Sequence, residues 1–381
     1  MVYNFSAYAL DHVGLASHKW RSPLHPKMKT IPIFRPNSKV SVEIPEQPLG
    51  IRQLYCSKET PEVDIVAVHG LNGHAINTWT TDGDKTCWLN HPDFLPKYVK
   101  RCRVLSWGYN ANISNLTGQS TSSDRVLQHA TTLVHQLQAD RELEDATHRP
   151  IIFICHSLGG IIVKRALAYA ESRSTVKLNH IHSIYTCTFG ILFFGTPHHG
   201  SSKARLLRSL QKLVSISTPK RAIDVESGLV KALEQESEIL QNITDQFTPL
   251  MSNFHIAFFW EQEKTDLKYT RDYIVEETSA APILDNTERC GIAADHRGMC
   301  KFNDPYSQGF RTAVARLRHY SQLAPEVIRD RLQVRAVSLQ EQKQRGALEM
   351  MRGIPHLTIR ENGLHDLMVI QDLSSMAYQS L

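Results

Sequence analysis

Short apolar segments alternating with longer stretches of helical periodicity predict an α/β fold, a mostly parallel sheet between helical layers. Two runs carry most of this expectation. IIFIC (151–155) and GILFFG (190–195) are uninterrupted apolar segments, the mark of strands buried on both faces. The intervening stretches are long enough for crossover helices, which parallel strands require. No internal repeat is visible, which excludes solenoids and propellers.

In chain order, GIRQLYC (50–56), VDIVAVHG (63–70) and RVLSWGY (103–109) read as strands. SSDRVLQHATTLVHQLQADREL (122–143) reads as a helix, with Ser122 or Ser123 as N-cap and Val126, Leu127, Leu133, Val134 and Leu137 at helical spacing. IIFIC is a strand and IIVKRALAYAESR (161–173) a helix; GILFFG is a strand, followed by helical stretches over roughly 201–243. HIAFFWE (255–261) and the less apolar CGIAADH (290–296) complete the expected sheet. Residues 1–50 differ: Pro23, Pro26, Pro32, Pro36, Pro45 and Pro48 forbid a long helix, and an irregular arm is expected there. The expected organisation is thus an arm at 1–50, an α/β domain at 51–323 with a helical lid near 201–243, and a polar helical extension at 324–381.

Composition narrows the function classes. The 381 residues are 41% hydrophobic and 21% charged, so the chain can bury a core and is not a disordered polymer. A net charge of +5 is too mild to argue for nucleic-acid binding. Seven cysteines without a C-x-x-C pair argue against a disulfide framework or a zinc knuckle. No apolar run approaches the ~18 residues that span a bilayer. Asp11 and His12 interrupt the first apolar stretch, so a secretory leader is not expected. A cytoplasmic protein follows, with a mitochondrial or membrane-associated location as the alternative; oligomeric state is not legible.

The sharpest motif is IIFICHSLGGIIVKRAL (151–167), a buried strand entering a helix through His156-Ser157-Leu158-Gly159-Gly160. That context is a nucleophile elbow of the α/β-hydrolase kind, a sharp turn that exposes Ser157 Oγ at the carboxyl edge of the sheet. Cys155 stands where the G-x-S-x-G pattern has its first glycine, and it is not read as the nucleophile. A hydroxyl needs a base with a carboxylate behind it, in the chain order Ser, acid, His. His296 lies where the last loop of the sheet is expected, whereas His198 and His199 in GTPHHGS come too early. The acid is Glu261, ending its strand, or Asp272 in RDYIVEETSA, with Asp266, Glu276 and Glu277 less favoured; Asp295 reads as a structural neighbour of His296. In VDIVAVHGLNG, the residue after the His-Gly pair, Leu71, is expected to donate an N–H to an oxyanion together with Leu158. His156, Gly70 and His198 are expected to line the substrate pocket, and loops 72–100, with Trp79 and Trp88, to wall it together with the 201–243 helices.

Taken together, HGLNG…TW, CHSLGG, ILFFGTPHHGS, FFWE and ETSA…DHRGMCKF resemble the fungal serine-esterase-like α/β-hydrolase domain over about 60–320. That domain is related to the mammalian serine-active-site protein linked to phospholipid remodelling and, more distantly, to lipases and GPI inositol deacylases. The resemblance implies Ser157 as nucleophile, His296 as base and Glu261 as acid, while the lipases would favour Asp272. No G-x-x-x-x-G-K-[ST] string or 33-residue repeat follows, so a free-standing hydrolase domain is expected. The expected function is a serine hydrolase of a carboxylic ester or thioester, with a lipid, lactone or acyl substrate. It needs no cofactor or metal, and peripheral membrane contact is compatible with it. An acyltransferase with the same triad and a non-catalytic binding domain are the alternatives.

Overall fold

The computed structural model describes residues 48–111, 122–198, 203–215, 242–267 and 270–352. They fall within one of the two units into which the chain divides, Pro45–Leu381. Nearly all of the expected arm, most of the expected lid and the chain beyond 352 lie outside the described residues.

Seven strands form the main sheet: β1 (Gly50–Cys56), β2 (Val63–Val68), β3 (Cys102–Gly108), β4 (Ile151–His156), β5 (Thr188–Phe194), β6 (His255–Glu261) and β9 (Thr287–Ile292). Their spatial order is β1-β3-β2-β4-β5-β6-β9. Only β1 runs antiparallel, against β3, and every other pairing is parallel. A small β7–β8 pair (Thr265–Asp266 and Arg271–Asp272) lies outside this sheet. Every residue of β2, β3, β4 and β5 is buried, as their apolar sequences require.

The helices are α1 (Leu95–Tyr98), α2 (Ser122–Leu143), α3 (Leu158–Glu171), α4 (Asn179–Cys187), α5 (Lys203–Ser215), α6 (242–247), α7 (Glu277–Ala280) and α8 (Gln308–Arg352). Helix α3 covers the face of β5 that carries Phe193, since Lys164 Nζ lies 5.7 Å from that ring. Helix α8 covers the other face: the Tyr320 ring fills the space where a Cβ at Gly190 would stand. Residues 190 and 193 have opposite parity on the strand, so the two helices sandwich the sheet. This is the α/β-hydrolase architecture.

Three expectations are corrected. The last strand ends at Ile292, before Asp295 and His296. Asp295 Oδ1 accepts the Gly298 N–H at 2.7 Å, so the chain turns there instead of extending. The boundary expected at 323/324 falls inside α8, which continues through Pro325. Its Phe310, Ala313, Val314, Leu317, Tyr320, Ala324 and Ile328 form one buried stripe across that boundary. Arg331 then donates to the Thr188 and Asn253 carbonyls, anchoring the helix further on. Finally, α4 connects α3 to β5 in a stretch where no helix was expected.

A buried ion cluster pins the amino edge of the sheet, away from the strand ends that carry the motifs. Asp64, the second residue of β2, accepts from Arg103 at 3.0 and 3.2 Å, Arg141 at 2.5 Å and Arg149 at 2.9 Å. These bonds tie β2 and β3 to the end of α2 and the entry to β4. With several donors around one carboxylate the charge is compensated, whereas removing it would leave guanidinium groups buried.

Candidate active site

Ser157 stands between β4 and α3 with φ 53° and ψ −125°, a conformation strained for a residue with a side chain. Hydrogen bonds hold it on both sides. Its N–H donates to the Phe194 carbonyl at 2.9 Å, and its carbonyl accepts from Gly160 N–H at 3.1 Å and Thr196 Oγ1 at 3.0 Å. The turn is also crowded. A Cβ at Gly159 would strike the Val68 and His69 carbonyls, and one at Gly160 would strike Thr196. Cys155 causes no obstruction: it is buried in β4, and burial pushes its thiol well up, so it behaves as a small apolar side chain.

The loop after β2 lies directly against this turn. A Cβ at Gly70 would approach Ser157 Cβ to 2.7 Å and Ser157 Oγ to 3.3 Å, so only glycine allows the approach. His69 supports the loop from beneath. Its Nδ1–H donates to the Gly70 carbonyl at 2.9 Å, its own carbonyl accepts from Tyr109 Oη at 2.9 Å, and the two rings stack at 4.4 Å. Burial lowers the His69 pKa to about 4, which keeps the ring neutral. Leu71 follows Gly70, and Leu158 is the first residue of α3, whose N–H is among those a helix leaves without an internal acceptor.

Two further groups reach the same edge. His296 follows β9 and is 1% exposed; a Cβ at Gly195 (φ 54°) would lie 2.9 Å from its Cε1 and 3.0 Å from its Nδ1. Glu261 ends β6, and its Oε2 lies 3.5 Å from His296 Nδ1 while its Oε1 accepts the Val275 N–H at 2.6 Å. Ser157 Oγ, both ring nitrogens of His296 and Glu261 Oε2 are buried, and none has a hydrogen-bond partner among the described residues. These four atoms lie at or just beyond the carboxyl ends of β4, β6 and β9, with β5 between the first two, and buried polar atoms without a partner call for an explanation.

The other sequence-derived candidates lie elsewhere. Asp272 sits in β8, 45% exposed and 2.7 Å from Lys212 Nζ, whose hydrogen bond lowers its pKa. Asp266 pairs with Arg271, and Glu277 with Arg289. His156 is buried, and its Nε2–H donates to the His296 carbonyl at 2.8 Å, so the ring is directed toward the His296 loop. His198 packs edge-on against Phe193 and Phe258, with centroids 4.6 Å away in each case, and its backbone exchanges hydrogen bonds with Ser279. His199 lies outside the described residues. Trp79 and Trp88 are both fully buried, and Trp88 meets Phe302 and Phe310 edge-on and donates to the Cys300 carbonyl at 2.9 Å. Sequence reasoning missed Gly195 and Thr196, because GTPHHGS drew attention to its histidines; it also missed Tyr109, which no local pattern marks.

Residues 63–225 match the family described as "Putative serine esterase (DUF676)". Protein SERAC1 of Bos taurus is 25% identical over 269 residues, covering 66% of this chain and 36% of that protein. Its Homo sapiens counterpart is 26% identical, covering 54% and 31%. The chain thus spans well under half the length of these relatives. Among solved structures, the Bacillus licheniformis lipase BlEst2 aligns with TM-score 0.44 and 18% identity, covering 69% of this chain and 97% of that one. A thermostable carboxyl esterase from Bacillus coagulans aligns with TM-score 0.39 and 10% identity, covering 72% and 100%. Among the described residues, no helix is long and apolar enough to cross a membrane, and no cluster of side chains could hold a metal ion.

Proposed function

We propose that the chain is a serine hydrolase that cleaves a carboxylic ester or thioester of an acyl, lactone or lipid substrate. Ser157 Oγ attacks the acyl carbon, and His296 takes the hydroxyl proton and returns it to the leaving group. Glu261 accepts from His296 Nδ1–H, holding the tautomer and stabilising the imidazolium as it forms. The N–H groups of Leu71 and Leu158 bind the oxyanion, aided by the positive end of α3. The acyl-enzyme then hydrolyses by the same steps with water as nucleophile.

One observation carries this reading: a strained serine, an imidazole and a carboxylate share one sheet edge with their functional atoms buried and unsatisfied. The 3.5 Å gap between Glu261 and His296 is compatible with it, because such bonds are often long until substrate binds. The serine-esterase match from 63 to 225 includes Ser157 and the Leu71 loop and adds support. The test is fluorophosphonate labelling and p-nitrophenyl ester turnover by wild type and Ser157→Ala. Label on Ser157 in wild type, with label and turnover both lost in the variant, is expected. Undiminished labelling of the variant, mapped to another residue, refutes the assignment.

A further inference from the structure

We infer that His156 is a positioning residue for His296, a buried donor that fixes the histidine loop against the strand carrying Ser157; this rests on the serine-hydrolase reading. The argument begins with what holds His296. Neither of its ring nitrogens has a hydrogen-bond partner among the described residues. Its main chain, by contrast, is held on both sides: the N–H donates to Thr265 Oγ1 at 3.3 Å, and the carbonyl accepts His156 Nε2–H at 2.8 Å. Beyond Glu261, whose Oε2 is 3.5 Å from Nδ1, the ring is oriented through its backbone and through its close approach to Gly195. Of the two bonds, the one from His156 is the shorter.

The partners are 140 residues apart in sequence, yet His156 is the immediate neighbour of Ser157. A single bond thus joins the end of β4 to the loop after β9, and movement of that loop shifts the imidazole relative to the hydroxyl. A carbonyl can only accept, so His156 carries its proton on Nε2. The rings of His156 and His296 are 4.9 Å apart. Burial above all presses the His156 pKa down to about 3, although its bond to the His296 carbonyl works the other way. His156 therefore stays neutral while His296 gains a proton during turnover, and it neither repels the imidazolium nor competes for the proton.

The test compares His156→Leu, which removes the donor, with His156→Gln, whose amide N–H reaches toward the Nε2 position. For p-nitrophenyl ester turnover, the leucine variant is expected to lose about 10–100-fold in kcat with little change in KM, as misplacement of a reacting group does. Its fluorophosphonate labelling should slow in parallel, and the glutamine variant should recover most of both rates. Should the leucine variant fail to fold, His156→Asn, whose amide is too short to reach the carbonyl, replaces it. Nitrogen NMR of wild type should show His156 as the neutral Nε2–H tautomer from pH 5 to 8. Leucine and glutamine variants with equal rates, a loss confined to KM, or a His156 that titrates in that range each overturn the inference. An active wild type labelled at Ser157 but indifferent to His156→Leu overturns this inference alone. A wild type that neither turns over ester nor takes the label overturns the hydrolase reading together with it.

Discussion

Lys164 offers a direct measurement of the interior behind the elbow. It lies on α3, 1% exposed, with Nζ 5.7 Å from the Phe193 ring, 6.0 Å from the Phe247 ring and 3.5 Å from Thr244 Oγ1. Burial lowers its pKa from 10.5 to about 7, and no carboxylate contributes to raising it. Between about pH 7 and 10.5 the unfolded chain holds a proton there that the folded chain does not, so stability rises with pH across this window. The shift corresponds to a folding cost of about 4 kcal/mol at pH 7, falling to about 2 kcal/mol at pH 9. Lys164→Met keeps the length and apolar stem and removes the amine. Near pH 7, where the folded amine is still partly protonated, it forfeits ring contacts worth up to about 1 kcal/mol. The variant should therefore be about 3 kcal/mol more stable than wild type at pH 7, and about 2 kcal/mol more stable at pH 9, where the folded amine is neutral. Urea unfolding of both proteins at the two pH values, with unchanged m, reads the difference directly. A variant less stable at pH 7, or a stability difference that does not move with pH, refutes the reasoning.

Two further substitutions probe the site itself. Glu261→Gln leaves an acceptor for Val275 N–H but removes the charge 3.5 Å from His296 Nδ1, so kcat/KM should fall by ~10²–10⁴-fold while far-UV circular dichroism is unchanged. Asp272→Asn loses only a half-exposed pair with Lys212, and kcat/KM should stay within about 2-fold; the reverse ranking of the two variants would move the acid to Asp272. Gly195→Ala places a methyl group 2.9 Å from His296 Cε1 at φ 54°, and kcat together with phosphonate labelling should drop about 10–100-fold, measured beside an unchanged Ser157→Ala blank.

The centre of the sheet was legible because β4 and β5 are buried on both faces and so read as uninterrupted apolar runs. The same pattern puts Ser157 and Glu261 at the carboxyl edge, since parallel strands present all their carboxyl ends on one side. Boundaries were harder. The run CGIAADH gives no sign that the chain leaves the sheet after Ile292, because the turn depends on Asp295 Oδ1 receiving the Gly298 N–H. A polar composition suggested that the segment after Leu323 was separate, whereas α8 buries its stripe through Ile328, and a composition average hides such a stripe. The choice between Glu261 and Asp272 needed coordinates for a different reason. Both stand close to an aromatic segment in the sequence, whereas in space Glu261 Oε2 lies buried 3.5 Å from His296 Nδ1 and Asp272 pairs with Lys212.

The end of β5 explains how residues so distant in sequence acquire a shared geometry. Phe194 accepts the Ser157 N–H at 2.9 Å and so sets where the elbow leaves the sheet. The next residue, Gly195, donates to the Phe259 carbonyl at 2.9 Å, which fixes this strand end against β6 two residues before Glu261. Its missing side chain makes the space that the His296 ring occupies. Thr196 then returns to the Ser157 carbonyl at 3.0 Å. Three consecutive residues therefore touch the Ser157 turn, the His296 ring and the strand that ends in Glu261, and none of them carries a titratable group. Ser157 can hold its strained dihedrals because this strand end, with Gly160, satisfies its backbone on both sides, and those bonds offset the cost of the strain. On this account the spacing within GTP at 195–197 constrains the site as tightly as the HSLGG string does, although only the latter looks like a motif.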